Sequence, residues 1–241
     1  MRQTLSLGFV VLMVLAGVAA ADPNPLTDPW LTIDRASGYF GSSGGGEFTI
    51  ESTPLNNRAY SPLPTQTRDI TTTAIAASGS FQSFCVERDE YVSIPQTYQY
   101  TVDTFARKGG QGGGNPDPLS AETAWLYTQF AKGTLANYNY GPGSARQSSA
   151  DALQNAIWAL ENENWSGADV RTGTWIAAAQ AAAADPSVWG NTIGSVRVLN
   201  LYHASAITEC QSQLYLVPLP GTILLGLLGM GFAGTKLRKL A

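Results

Sequence analysis

Two charge-free apolar segments bracket this chain, and they confine its folded body to what lies between them. Leu5–Ala16 follows Met1 and Arg2 and ends at the small residues Ala19-Ala20-Ala21. A short positive start, an apolar run and an A-x-A site predict a cleavable signal peptide over residues 1–21, with signal peptidase as its processing partner. The run is short of the roughly 18 residues that a membrane span needs. At the other end, Leu214–Gly234 carries no charge, and Lys236, Arg238 and Lys239 follow it. About 20 apolar residues can cross a bilayer, and a basic flank stays on the cytoplasmic side. Residues 214–241 are therefore expected to hold a C-terminal transmembrane helix and a basic tail, with the body, 22–213, exported.

The body is acidic. Four of the 14 basic residues lie in the two ends, which leaves 10 against all 18 acids, a balance of −8. A balance of that sign without a basic patch argues against nucleic acid as a partner. About 190 residues can bury a core without disulfide staples. Cys85 and Cys210 are the two cysteines and His203 the one histidine. An even cysteine count in an oxidising compartment allows a Cys85–Cys210 disulfide. One histidine with no Cys/His cluster speaks against zinc, and no calcium-loop spacing occurs. No cofactor is expected.

Periodicity divides the body into strands, then helices, then strands. Glu47–Glu51 and Gln96–Phe105 alternate polar and apolar as half-buried strands do. Thr71–Val92 predicts one or two strands packed through Phe81, Phe84 and Val86. Lys108–Pro118 is a Gly-rich loop without the spacing of a phosphate-binding loop. Ser120 is an expected N-cap for a helix over Ala121–Lys132, with Glu122 in its first turn and Gly133 beyond its end. Ser148-Ser149-Ala150-Asp151 has capping-box spacing, and Leu153, Ile157 and Leu160 then form a helical apolar stripe. Trp175–Ala184 predicts a third helix ended by Asp185-Pro186. Val196–Tyr202 and Gln213–Val217 read as closing strands. The fold class expected is α+β: a strand-rich body with a two- to three-helix insertion, plus the C-terminal transmembrane helix.

Two short blocks carry resemblances. Val217-Pro218-Leu219-Pro220, with the apolar run and basic end behind it, resembles the PEP-CTERM sorting signal of exosortase-containing bacteria. Leu219 stands where that motif usually has glutamate. The resemblance implies that an exosortase-type membrane protease cuts near the motif and passes the body to the cell surface. The second resemblance spans roughly Gly44 to Glu161. Phe84-Cys85-Val86 and Leu153-Gln154-Asn155-Ala156-Ile157-Trp158 resemble the two blocks of bacterial surface thioester domains, an aromatic-Cys-apolar block and a Thr-Gln-x-Ala-Ile-Trp block. Leu153 replaces the threonine.

That resemblance implies an internal thioester. The Cys85 sulfur would attack the Gln154 carboxamide, and Phe84, Ile157 and Trp158 would shield the product from water. An amine on a target surface, most simply a lysine of another protein, would then take the acyl group. This is nucleophilic acyl chemistry performed once, without turnover, so no enzyme and no catalytic residues are expected. The alternatives stay open at this stage: a non-catalytic structural matrix protein with a Cys85–Cys210 disulfide, two inert buried thiols, or a secreted hydrolase, whose triad would have to rest on His203 alone. Glu87, Asp89, Glu90, Glu161 and Glu163 read as solvated carboxylates, because nothing in the sequence marks a buried partner for them.

Overall fold

A single antiparallel sheet organises the chain in the computed structural model, which describes residues 30–41, 45–52, 80–163, 169–203 and 208–217. The predicted signal peptide, Pro218, Leu219, Pro220 and the basic tail lie outside the described residues, and no described helix is long and apolar enough to cross a membrane. In chain order the elements are β1 (Trp30–Asp34), β2 (Phe48–Ser52), β3 (Ser80–Ser83), β4 (Gln96–Asp103), β5 (Phe105–Ala106), β6 (Asp117–Pro118), α1 (Ala121–Ala131), α2 (Ser144–Leu160), α3 (Val170–Ala184), β7 (Val196–His203) and β8 (Thr208–Leu216). The main sheet runs β3-β2-β1-β4-β7-β8, and β5 and β6 form a small ribbon beside it.

The sheet curls until its two edges meet. Past β3, the chain runs against β8: Leu214 N donates to Phe84 O at 3.0 Å and Val86 N to Ser212 O at 3.0 Å. Cys85 bridges Gln213 in this seam, and Ser83 Oγ donates to Leu214 O at 2.7 Å. Closure removes the unpaired donors and acceptors that an open edge exposes.

Two cores result. The inner face of the curled sheet encloses Leu31, Ile33, Ile50, Tyr98, Leu199, Leu201 and Tyr215. The outer side carries the helices, whose Leu126, Phe130, Leu153, Ile157 and Trp175 pack with Val196, Val198 and Leu214. A register shift in the β7–β8 pairing, between Leu199 and Leu201, aims β8. The extra residue reverses the strand's alternation. Cys210 and Tyr215, an odd number of residues apart, therefore both face the inner core, while Leu214 faces the helices.

The α+β class and the strand–helix–strand order hold, with local corrections. Ser120 caps α1 as expected, accepting from Thr123 N at 3.1 Å. Helix α2 begins a turn earlier than the expected capping box, after Gly143, and without a side-chain cap. Ser148 is instead inside the helix, where its Oγ accepts from Arg171 at 2.7 Å. Helix α3 begins at Val170, five residues before the predicted start, because Asp169 caps it through Arg171 N. Strand β1 was not among the expected strands, although Leu31 and Ile33 alternate with Thr32 and Asp34; it pairs with β2 and β4 on both sides. Leu214, Tyr215 and Leu216 belong to β8, so the body extends past the expected boundary at residue 213.

Candidate functional site

The seam brings Cys85 against α2. Phe84 and Val86 point to the helix-side core and Cys85 to the inner core, the ordinary alternation of an extended chain. Gln154 meets it from the helix. The Gln154 carboxamide pairs with the Cys85 backbone in both directions: Nε2 donates to Cys85 O at 2.8 Å, and Oε1 accepts from Cys85 N at 3.1 Å. The Cys85 thiol also points at Oε1, with Sγ 3.2 Å away. Both residues are fully buried, at 0% exposure. Two backbone bonds fix the amide plane, so the thiol faces the carboxamide in one orientation. Such fixing is what a reaction between two poorly reactive groups requires.

Glycine makes the cover possible. A Cβ at Gly45 would lie 2.5 Å from Gln154 Cγ and 2.8 Å from the Trp158 ring. A Cβ at Gly46 would lie 2.1 Å from the Phe84 ring and 2.7 Å from Gln154 Oε1. Only a chain without side chains can lie this close. Phe84 is held edge-on against Phe130, with ring centroids 4.9 Å apart. Trp158 borders the sulfur, and the Arg88 guanidinium sits over its ring at 5.8 Å. Ile157 is buried in the helix-side core, whereas Cys85 belongs to the inner one.

The glycine segment is anchored at its end. Glu47, fully buried, accepts from Arg146 Nε of α2 at 2.9 Å and from the Tyr138 hydroxyl at 2.6 Å. Arg146 Nη2 forms an ion pair with the same carboxylate, and the guanidinium lies 3.5 Å over the Tyr39 ring. A buried pair with every oxygen engaged costs a great deal to break from one side, so α2 and the glycine segment are tied together.

Burial pushes the Cys85 thiol well above its ordinary range; the Gly46 amide and the Trp158 indole N–H, which has no oxygen or nitrogen acceptor, oppose the rise. No standing thiolate is therefore present at neutral pH, and any attack by sulfur must move the thiol proton in the same event. Cys210 stands apart. It is a free thiol, as is Cys85, and the alternative Cys85–Cys210 disulfide is not formed. Cys85 pairs with Gln213 and Cys210 with Leu201. Three residues of strand separate the two by roughly 10 Å, beyond the ~7 Å a disulfide spans.

The carboxylates depart from their expected solvation. Asp89 is exposed, but Glu87 and Glu163 are fully buried, Glu161 is 3% exposed and Glu90 4%. Backbone donors brought by distant loops explain this. Glu163 accepts from Arg88 N, Gln111 N and Gly112 N at 2.9–3.0 Å, and Glu161 accepts from Ser120. No sequence window holds both a carboxylate and those donors. Among the described residues, no group of three or more His, Cys, Asp or Glu could hold a metal ion.

No known protein-family profile matches the chain, and no curated protein matches it. Among solved structures, the chain is similar to the N-terminal domain of the Streptococcus pyogenes pilus tip adhesin Cpa. The likeness has 10% sequence identity and a TM-score of 0.38, over 81% of this chain and 96% of that one.

Proposed function

We propose that this chain stores an acyl group as an internal thioester between Cys85 and Gln154 and spends it once, on an amine of a target surface. The observation that carries the reading is the seating of the Gln154 carboxamide on the Cys85 backbone, with the thiol aimed at it in a fully buried, glycine-covered site. In the forming step, the Sγ–Cδ bond is made and the Cδ–Nε2 bond broken. The thiol proton leaves with the departing nitrogen as ammonia. In the second step, an incoming amine nitrogen bonds Cδ, the Cδ–Sγ bond breaks and sulfur recovers a proton. The enclosing side chains exclude water, which would otherwise hydrolyse the acyl group. With the export signal and PEP-CTERM-like tail of the sequence, the acylating body would act at the cell surface, as an adhesion or matrix protein.

Intact mass tests this. The folded chain is expected to weigh one ammonia less than its sequence, and methylamine treatment should place one methylamine on Gln154. Should the mass match the sequence, methylamine add nothing and both thiols alkylate after unfolding, the proposal is overturned. Gln154 would then be a structural pin across the seam of a non-catalytic envelope protein.

A further inference from the structure

The two arms that bring Cys85 to Gln154 also bring together a pair of carboxyl groups. Glu87 lies two residues beyond Cys85. Glu163 lies just beyond α2, where its own N–H donates to Trp158 O at 2.8 Å. Both press on Gly110: a Cβ there would be 2.3 Å from Glu163 Oε2 and 2.5 Å from Glu87 Oε2. Gly110 N donates to Glu87 at 2.6 Å, while Gln111 N and Gly112 N donate to Glu163. The Gly-rich loop 109–114 is thus held by one acid from each arm.

The donors are unequally shared. Glu163 accepts three backbone N–H groups, whereas Glu87 Oε1 is buried and meets no donor. A buried oxygen without a donor is costly, and a proton on the carboxyl turns an acceptor-only group into a donor beside Glu163, its side-chain hydrogen-bond neighbour. The surroundings favour that proton. Asp117 of β6 adds negative charge across the loop, and Arg88 turns its guanidinium toward Trp158. Lys108 lies 3.9 Å from Glu90, and Glu161 is taken up by Ser120. Burial and the Glu163 charge push the Glu87 carboxyl up to about 9.

We propose that Glu87 and Glu163 are positioning residues for the Cys85–Gln154 pair, latching the Gly-rich loop to both of its arms through one shared proton. Loss of that proton sets two buried carboxylates against each other and loosens the loop, the Cys85 strand and the end of α2 together. The latch itself stands on the geometry; only its effect on acyl transfer rests on the thioester reading.

Two measurements on the full chain in detergent test it. In an amide NMR titration, the Gly110 and Gly112 signals should move together with a midpoint near pH 9, and Glu87→Gln should abolish that movement. The methylamine capture rate of the wild type, divided by that of Glu87→Gln at each pH, should be flat at neutral pH and rise several-fold above the same midpoint. The ratio cancels the ionisation of methylamine. A Gly110 midpoint in the ordinary carboxylate range overturns the latch even if the variant does not fold. A flat ratio alongside a normal titration overturns the positioning role. Absence of any methylamine adduct in a chain whose amides titrate as expected sinks the thioester and leaves the latch standing.

Discussion

Cys85 and Cys210 are two buried thiols attached to the same closing strand, one by a bridge to Gln213 and one by belonging to β8. Their surroundings differ in kind. Cys210 Sγ has a single backbone acceptor, Thr208 O at 3.5 Å, and remains 8% exposed. Cys85 faces a carboxamide that is itself fixed by two backbone hydrogen bonds. Burial raises both thiols, so neither is activated by a lowered pKa. The difference is the electrophile that faces one sulfur and not the other. In the proposed thioester, reactivity would be built by placement, with the thiol left in its resting state.

The sharpest way to break this contrast is to exchange the cysteines' fates. Cys85→Ser and Gln154→Ala should each abolish the methylamine adduct completely, while Cys210→Ser should retain it in full, all read by intact mass. An adduct that survives Cys85→Ser would end the distinction. The next largest effect should come from the anchor that keeps Gln154 covered. Arg146→Met leaves Glu47 buried without its cationic partner and is expected to cost about 3–5 kcal/mol in urea unfolding. Among the described residues no comparably buried ion pair borders Cys210, so Cys210→Ser should cost less.

The acids flanking the two thiols give a pH test. Glu87 beside Cys85 is pushed from its ordinary 4.5 to about 9, chiefly by burial and then by the Glu163 charge. Glu90, near Cys210, is raised to about 7 by burial, as is Glu161. A folded chain that holds protons the unfolded chain has released loses stability as pH rises. Unfolding free energy should therefore be greatest below about pH 5 and fall through pH 7 as Glu90 and Glu161 ionise. Glu87 contributes to the fall over the whole span up to about pH 9, a change on the order of a few kcal/mol, and the raised Cys85 thiol and Tyr138 hydroxyl carry the decline on above that pH. Glu87→Gln should make the curve shallower from about pH 5 to pH 7 and nearly flat between about pH 7 and pH 9. The smallest effect concerns the cover. Gly46→Ala forces a Cβ against Phe84 and should cost about 1–3 kcal/mol, with faster hydrolysis of any stored acyl group. The same change at Gly141, whose Cβ meets only Asn139 at 3.4 Å, should be nearly silent.

Much of the site was legible as words in the sequence. Phe84-Cys85-Val86 and Gln154 with Trp158 stood out, and the periodic stripe of Leu153 and Ile157 placed α2 correctly in the core. The depth of Gln154 was not legible. The apolar stripe of Leu153, Ile157 and Leu160 does not include it, yet Gly45 and Gly46 lie over it and it is fully buried. Asp89 is exposed as expected, but the four glutamates were read wrongly for the same kind of reason: the donors that stabilise buried Glu163 sit 51 to 75 residues away. The length of α2 was missed because Ser148 has cap chemistry, yet Arg171 from α3 uses its hydroxyl instead.

Local pattern alone determined the α+β class, the order of elements, the acidic body and the residue types able to form a thioester, because periodicity and capping act within a few residues. Tertiary structure decided which cysteine faces the glutamine, 69 residues away along the chain. It did so by curling the sheet until the segment after β3 met β8, and by reversing the alternation of β8 at a bulge so that Cys210 and Tyr215 both turn inward. Closure depends on all six strands at once, and no local stretch of sequence carries it.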